Sequence, residues 1–132
     1  MQDGFVKVAA RSPQVRVADV DANIDACVVE VTDAVQSDGA KLVVLPELCV
    51  TGYTCEDLFW QDELLDAAER GLQTLARRTA TLDALVLAGV PVRVNDKLYN
   101  CAAALAHGEL LGLVPKRSIP NYNEFYELRH FA

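Results

Sequence analysis

The sequence is poor in the residues that announce several common protein classes. It has two histidines, four cysteines and one tryptophan in 132 residues, and no two cysteines stand in C-x-x-C spacing. His107 and His130 are not set near a cysteine pair in a finger pattern, so a metal site is not expected. No apolar run is long enough to cross a bilayer. The opening "MQDGFVKVAARSP" has no basic segment followed by an apolar one, so no secretory signal is read there and a cytoplasmic location is expected. In that setting Cys27, Cys49, Cys55 and Cys101 are expected to be reduced, buried thiols. Basic charge is also scarce. The formal net charge is −7, which leaves nothing to offset phosphate repulsion and argues against nucleic acid or an anionic membrane surface as a partner. Arg70, Arg77 and Arg78 fall in one helical stretch and read as a solvated face. Internal repeats and low-complexity segments are absent too.

Apolar residues are plentiful, at 52%, enough for a real core in one domain or part of a larger one. "FVKVAA" (5–10) reads as a first strand. Asp21 is placed as the N-cap of a helix from about residue 22, where Ile24, Cys27, Val28, Val31 and Val35 recur at helical spacing. "SDG" (37–39) closes it, with Gly39 suited to a left-handed cap. "LVVLP" is continuous and β-branched, the pattern of a strand covered on both faces. Leu64, Leu65, Ala68, Leu72, Leu75 and Ala76 mark a second helix, which Gly71 weakens. Residues 84–94, 98–106 and 109–114 read as strands joined by "ND" and "HG" hairpin turns. The last segment, "PKRSIPNYNEFYELRHFA", reads as an ordered loop with at most one helical turn, an unusual place for a free-standing domain to stop. The order β-α-β-α-β-β-β gives an α/β layered fold.

Two charges follow apolar strands after a single proline: Glu47 after "LVVLP" and Lys116 after "LLGLVP". Ligands of α/β sheets gather beyond the carboxyl ends of strands, so this acid and base can share one cleft. The pair suits proton transfer with anion stabilisation, and equally an ordinary structural ion pair. Tyr53, Tyr122, Phe125 and Tyr126 read as packing aromatics, and Glu124 and Glu127 as solvated loop acids. Cys49, two residues past Glu47, is a tempting nucleophile, but a reactive thiol also needs a positioned base and an oxyanion site, so a buried structural thiol is the favoured reading.

"VVLPELCVTGYTCEDLFWQ" resembles the first active-site motif of the nitrilase (carbon–nitrogen hydrolase) superfamily, and "GLVPKRSIPNYNEFYELRHF" resembles the second. "GYTCEDLF" and the pattern K-x-x-x-P-x-Y-x-E-F-Y-E-x-R are similar to the amino-terminal glutaminase domain of glutamine-dependent NAD synthetases. The resemblance runs from "VKVAA" to Phe131. It implies that residues 1–132 form the first half of a four-layer α-β-β-α sandwich, in a parent that is a homo-oligomer. It implies Glu47 as general base, Lys116 as stabiliser of tetrahedral intermediates, Glu124 as a second, positioning glutamate, and Tyr53 and Tyr122 as aromatics flanking the pocket for L-glutamine. The family's nucleophilic cysteine lies on a later strand in a "C-E-D"-like context, which none of the four cysteines matches. An amino-terminal portion with two of three catalytic residues is therefore expected, and no glutaminase activity from it alone. No cofactor is implied for this portion. ATP, Mg2+ and deamido-NAD belong to the parent's synthetase domain. Another amidase of the superfamily, of ω-amidase or carbamoylase type, and a non-catalytic module of the same shape are the alternatives.

Overall fold

The computed structural model describes residues 3–132. Five strands make one sheet in the order β1-β2-β3-β4-β5: β1 Val8–Ala10, β2 Leu42–Val44, β3 Leu85–Val94, β4 Lys97–Ala106 and β5 Glu109–Pro115. The first three run parallel and the last three are joined as antiparallel hairpins. Helix α1 (Val20–Gln36) connects β1 to β2, and a 3₁₀ helix (Glu56–Trp60) and α2 (Asp62–Arg78) connect β2 to β3. Both hairpin turns are the expected ones: Asn95 and Asp96 have φ of 49° and 63°, and His107 and Gly108 have 50° and 85°. Two positive φ angles in a two-residue turn match the twist of the flanking strands.

The core lies on one side of this sheet. Val43, Val86, Ala88, Val90, Ala103 and Leu105 are buried with Ile24, Cys27 and Val31 of α1 and Leu65, Leu72 and Leu75 of α2. The register puts Val8, Leu42 and Leu85 on the opposite face, with Val44 beside Leu87, Leu87 beside Ala104 and Ala102 beside Val114. That face carries no charge in these positions, yet Val8 is 61%, Val44 39% and Val114 66% exposed. The expectation that "LVVLP" is covered on both faces is therefore corrected. Val43 and Leu45 are buried, but Val44 on the opposite face is left 39% exposed. An apolar run reports that a strand suits burial; it does not say which residues bury it.

Two local expectations also change. Helix α1 starts earlier, and Asp19 rather than Asp21 caps it: its Oδ1 accepts from the Ala22 N–H at 3.2 Å. The cause is Asn23, whose buried side chain holds both the Arg16 N–H and C=O, at 2.7 and 2.8 Å, and so turns the chain before residue 20. Gly71 is not a weak point. A Cβ there would stand 2.5 Å from Val20 Cγ1, so its absence lets α1 and α2 approach closely.

The final segment is more regular than a loop. Asn121–Tyr122 (β6) and Phe125–Tyr126 (β7) form a small hairpin, and a 3₁₀ turn follows at Glu127–Arg129. Its end is tied to the sheet: Phe131 is 4% exposed, and the Ala132 N–H donates to the Leu98 carbonyl at 2.8 Å. No helix among the described residues is long and apolar enough to cross a membrane.

Candidate active site

Glu47 stands in a tight turn just past β2. The Cys49 N–H bonds the Pro46 carbonyl at 3.3 Å and the Gly52 N–H bonds the Leu48 carbonyl at 2.8 Å, while Leu48 takes a φ of 52°. The turn lies directly against β3. A Cβ at Gly89 would meet Leu48 N at 2.1 Å and the Glu47 carbonyl carbon at 2.7 Å. Only glycine allows that approach, so Gly89 decides where Glu47 sits.

Lys116 follows Pro115 at the end of β5. Its N–H donates to the Asn100 carbonyl of β4 at 2.7 Å, which extends the ladder by one bond and aims the side chain at the turn. The ammonium then reaches Glu47 Oε1 at 2.7 Å. The strand-end acid and base anticipated from the two apolar-Pro-charge patterns do meet. They border a cavity of about 360 Å³ on the open face of the sheet, lined also by Val44, Leu87, Gly89, Ala102 and Val114.

Three further residues complete the cluster. Glu127 is only 6% exposed, and both its oxygens lie 2.9 Å from Lys116 Nζ. The Tyr53 hydroxyl donates to Glu127 Oε1 at 2.8 Å. Asn100, 3% exposed, donates through Nδ2 to Glu47 Oε1 at 2.5 Å. Partial burial pulls the Lys116 pKa down, but hydrogen bonds and attraction from Glu47 and Glu127 outweigh it, so the ammonium holds its proton above the usual lysine range. Burial, then the bond to Glu127 and the nearby negative charge, push the Tyr53 hydroxyl well above the usual tyrosine range. It remains a neutral donor.

Of the residues singled out from the sequence, Glu47, Lys116 and Tyr53 are brought together. Glu124 is exposed at the β6–β7 turn and borders a separate cavity of about 140 Å³ with Tyr53, Tyr126, Glu127 and His130. It makes no ion pair with Lys116; the acid of this segment that does is Glu127. The expectation that Glu127 is a solvated loop acid is thus overturned by its burial. Tyr122, 62% exposed, packs edge to face on Phe125 at a ring-centroid distance of 5.8 Å and does not line the cavity beside Tyr53. Cys49 is 1% exposed and its thiol faces the Gly89 carbonyl at 3.7 Å rather than Glu47. Burial pushes the Cys55 and Cys101 thiols up, away from the reactive thiolate.

Asn100 and Glu127 were missed by sequence reasoning. A faint signal existed for the first, a lone amide inside the apolar strand "LYNCAAALA". For Glu127 the signal was its place in the K-x-x-x-P-x-Y-x-E-F-Y-E-x-R pattern, which does not distinguish it from Glu124, because its burial depends on how the 121–129 hairpin folds back. Chemically the cluster offers a carboxylate to accept a proton beside a fixed ammonium to steady an anion. No group of three or more His, Cys, Asp or Glu among the described residues is placed to hold a metal ion.

Comparison with known proteins gives the cluster a context. The family model described as carbon-nitrogen hydrolase matches residues 7–130. Glutamine-dependent NAD(+) synthetase of Mycobacterium tuberculosis (strain ATCC 25618 / H37Rv) is 43% identical over 131 residues, 99% of this chain and 19% of that protein. The protein of the same description from Aquifex aeolicus is 35% identical over 87% of this chain and 20% of its own length. The chain thus spans about a fifth of the length of the curated relatives it matches. Among solved structures, a glutamine-dependent NAD(+) synthetase from Cytophaga hutchinsonii superposes with a TM-score of 0.89 at 28% identity, over 96% of this chain and 21% of that one. An amidase from Nesterenkonia sp. superposes with a TM-score of 0.77 at 23% identity, over 100% of this chain and 49% of that one, a likeness of fold.

Proposed function

Since the chain belongs to the carbon-nitrogen hydrolase family, we propose that it supplies the base and the oxyanion-stabilising lysine of a glutaminase. The ammonia released would be used, in a longer parent, to convert deamido-NAD to NAD with ATP and Mg2+. The observation that carries this reading is the Glu47–Lys116 contact of 2.7 Å at the ends of two strands, beside an open cavity. The choice of glutamine as amide substrate is supported by the relatives, whose descriptions name it.

In the proposed reaction a cysteine thiol attacks the carboxamide carbon. Glu47 takes the thiol proton as the C–S bond forms, and Lys116 with backbone N–H groups holds the oxyanion. Glu47 returns the proton to the amine as the C–N bond breaks, and ammonia leaves. Glu47 then takes a proton from water as the water oxygen attacks the thioester carbon, and returns it to sulfur as the C–S bond breaks, giving glutamate and the free thiol. The thiol is proposed to lie beyond residue 132, because Cys49 is buried and faced away.

Glu127 fits the role of the second, positioning glutamate better than Glu124, since it is the one that holds Lys116. Tyr53 is proposed to wall the substrate pocket by way of Glu127, and Tyr122 to reach it only once further residues cover the hairpin. A cytoplasmic, homo-oligomeric parent is part of the same proposal.

Two experiments test it. The coding frame past Ala132 should hold a cysteine in a "C-E-D"-like context and, further on, an ATP-pyrophosphatase-type S-G-G-x-D-S motif. An early stop after the cysteine strand would point to a stand-alone amidase. Purified 1–132 should release no ammonia from L-glutamine, and measurable release would make one of its own thiols the nucleophile.

A further inference from the structure

Asn100 is the one amide side chain in a mostly apolar strand, and it is 3% exposed. It touches both halves of the charged pair. Its backbone carbonyl accepts from the Lys116 N–H at 2.7 Å, and its Nδ2 donates to Glu47 Oε1 at 2.5 Å. Lys116 Nζ donates to the same oxygen at 2.7 Å. Oε2 of Glu47 accepts no hydrogen bond among the described residues. A carboxylate is an acceptor only, so the amide must present its nitrogen and its orientation is set by chemistry.

Lys116 alone does not fix the rotation of that carboxylate. Its ammonium is a rotatable point charge, and it is drawn toward Glu127 by two contacts of 2.9 Å. A planar amide on a central strand gives a direction that the ammonium cannot. It does so without adding charge to a cluster that already holds two carboxylates and one ammonium.

We infer that Asn100 is a positioning residue for the base: it pins Oε1 of Glu47 and leaves Oε2 as the oxygen that accepts the proton. This role rests on Glu47 acting as the base, and it deepens that reading by naming the oxygen. The titratable groups around the carboxylate are Lys116 from the end of β5, Glu127 behind it from the 3₁₀ turn, and Tyr53 from the segment after β2.

The test uses the chain with 13C-labelled glutamate side-chain carboxyls and 15N-labelled asparagine side chains, followed by NMR across pH. The Glu47 signal is assigned by its loss in Glu47→Gln. In the wild-type chain the Asn100 side-chain amide should titrate with the same midpoint as Glu47, and that titration should vanish in Glu47→Gln. In Asn100→Leu the Glu47 midpoint should rise by about one to two pH units, the effect of losing one hydrogen bond to the charged form. A merely structural asparagine would leave the midpoint in place. An unmoved midpoint in a folded Asn100→Leu chain, or an Asn100 amide that ignores the Glu47 titration, overturns the inference. If Asn100→Leu does not fold, the wild-type co-titration alone decides. Neither readout uses glutamine, so a failure of the glutaminase reading is scored separately by ammonia release.

Discussion

The Lys116 ammonium lies 2.9 Å from both carboxylate oxygens of Glu127, a residue only 6% exposed. In the proposed reaction the charge of Glu47 comes and goes as it carries a proton. A lysine paired with Glu47 alone would lose its counter-ion at the moment it is needed. Glu127, held by Lys116 and by the Tyr53 hydroxyl, gives the ammonium a second partner that does not depend on the proton carried by Glu47.

That geometry sets a stability order. Lys116→Met leaves Glu127 buried without its cation and is expected to cost about 3 kcal/mol. Glu127→Gln keeps the shape and a partner for Tyr53, and should cost about 1–2 kcal/mol. Urea unfolding of the two variants checks this. Equal losses, or a larger loss for Glu127→Gln, would mean that Glu127 is not held chiefly by Lys116.

A pH dependence follows from the same cluster. Lys116 and Tyr53 both have pKa values raised in the folded chain. A group raised on folding stabilises below its unfolded pKa and loses that contribution as pH climbs through the folded one. Stability should therefore be flat in this cluster's contribution up to about pH 10, the ordinary range of both groups, and fall above it. Lys116→Met should flatten part of that alkaline fall. Thermal melts between pH 8 and 11 read it; identical alkaline slopes in wild type and Lys116→Met would speak against the raised lysine.

Gly89 and Gly112 make a matched pair. A Cβ at Gly89 would collide with the Glu47 turn, whereas at Gly112 nothing lies within 4 Å. Gly89→Ala should destabilise by about 2–3 kcal/mol and displace Glu47 from Lys116, while Gly112→Ala should stay within about 0.5 kcal/mol of wild type. Denaturant unfolding gives both numbers. A tolerated Gly89→Ala would show that the turn does not sit against β3 as described.

The open sheet face has its own consequence. Val8, Val44 and Val114 stand exposed on a surface with no charge between them, and contiguous apolar surface of that kind binds hydrophobic dyes and partners. The chain should enhance ANS fluorescence, and Val44→Lys with Val114→Lys should lower that signal without loss of stability. No enhancement in the wild-type chain would mean that this face is covered in solution.

The sequence carried the charged pair plainly, because Glu47 and Lys116 each follow an apolar strand and a single proline. The two hairpins were equally plain in "ND" and "HG". What it hid depends on contacts between distant segments. Asp19 displaced Asp21 as the cap because Asn23 reaches back to Arg16. Gly71 looked like a weak helix position until its neighbour proved to be α1. Glu127 and Glu124 are three residues apart in one polar segment, and only the fold of the 121–129 hairpin buries one of them. Val44 is as apolar as a fully covered strand residue, and nothing in its own segment says that one face lies open.

The central claim is that Glu47 is the base of a glutamine-hydrolysing site, and one comparison tests it most directly. In the full synthetase proposed to carry this chain, Glu47→Gln should abolish NAD formation from deamido-NAD with glutamine and leave formation with free ammonia within about twofold of wild type, since the second reaction needs no thiol activation. Loss of both activities would make Glu47 structural, and retained glutamine-dependent synthesis would remove it from the chemistry altogether.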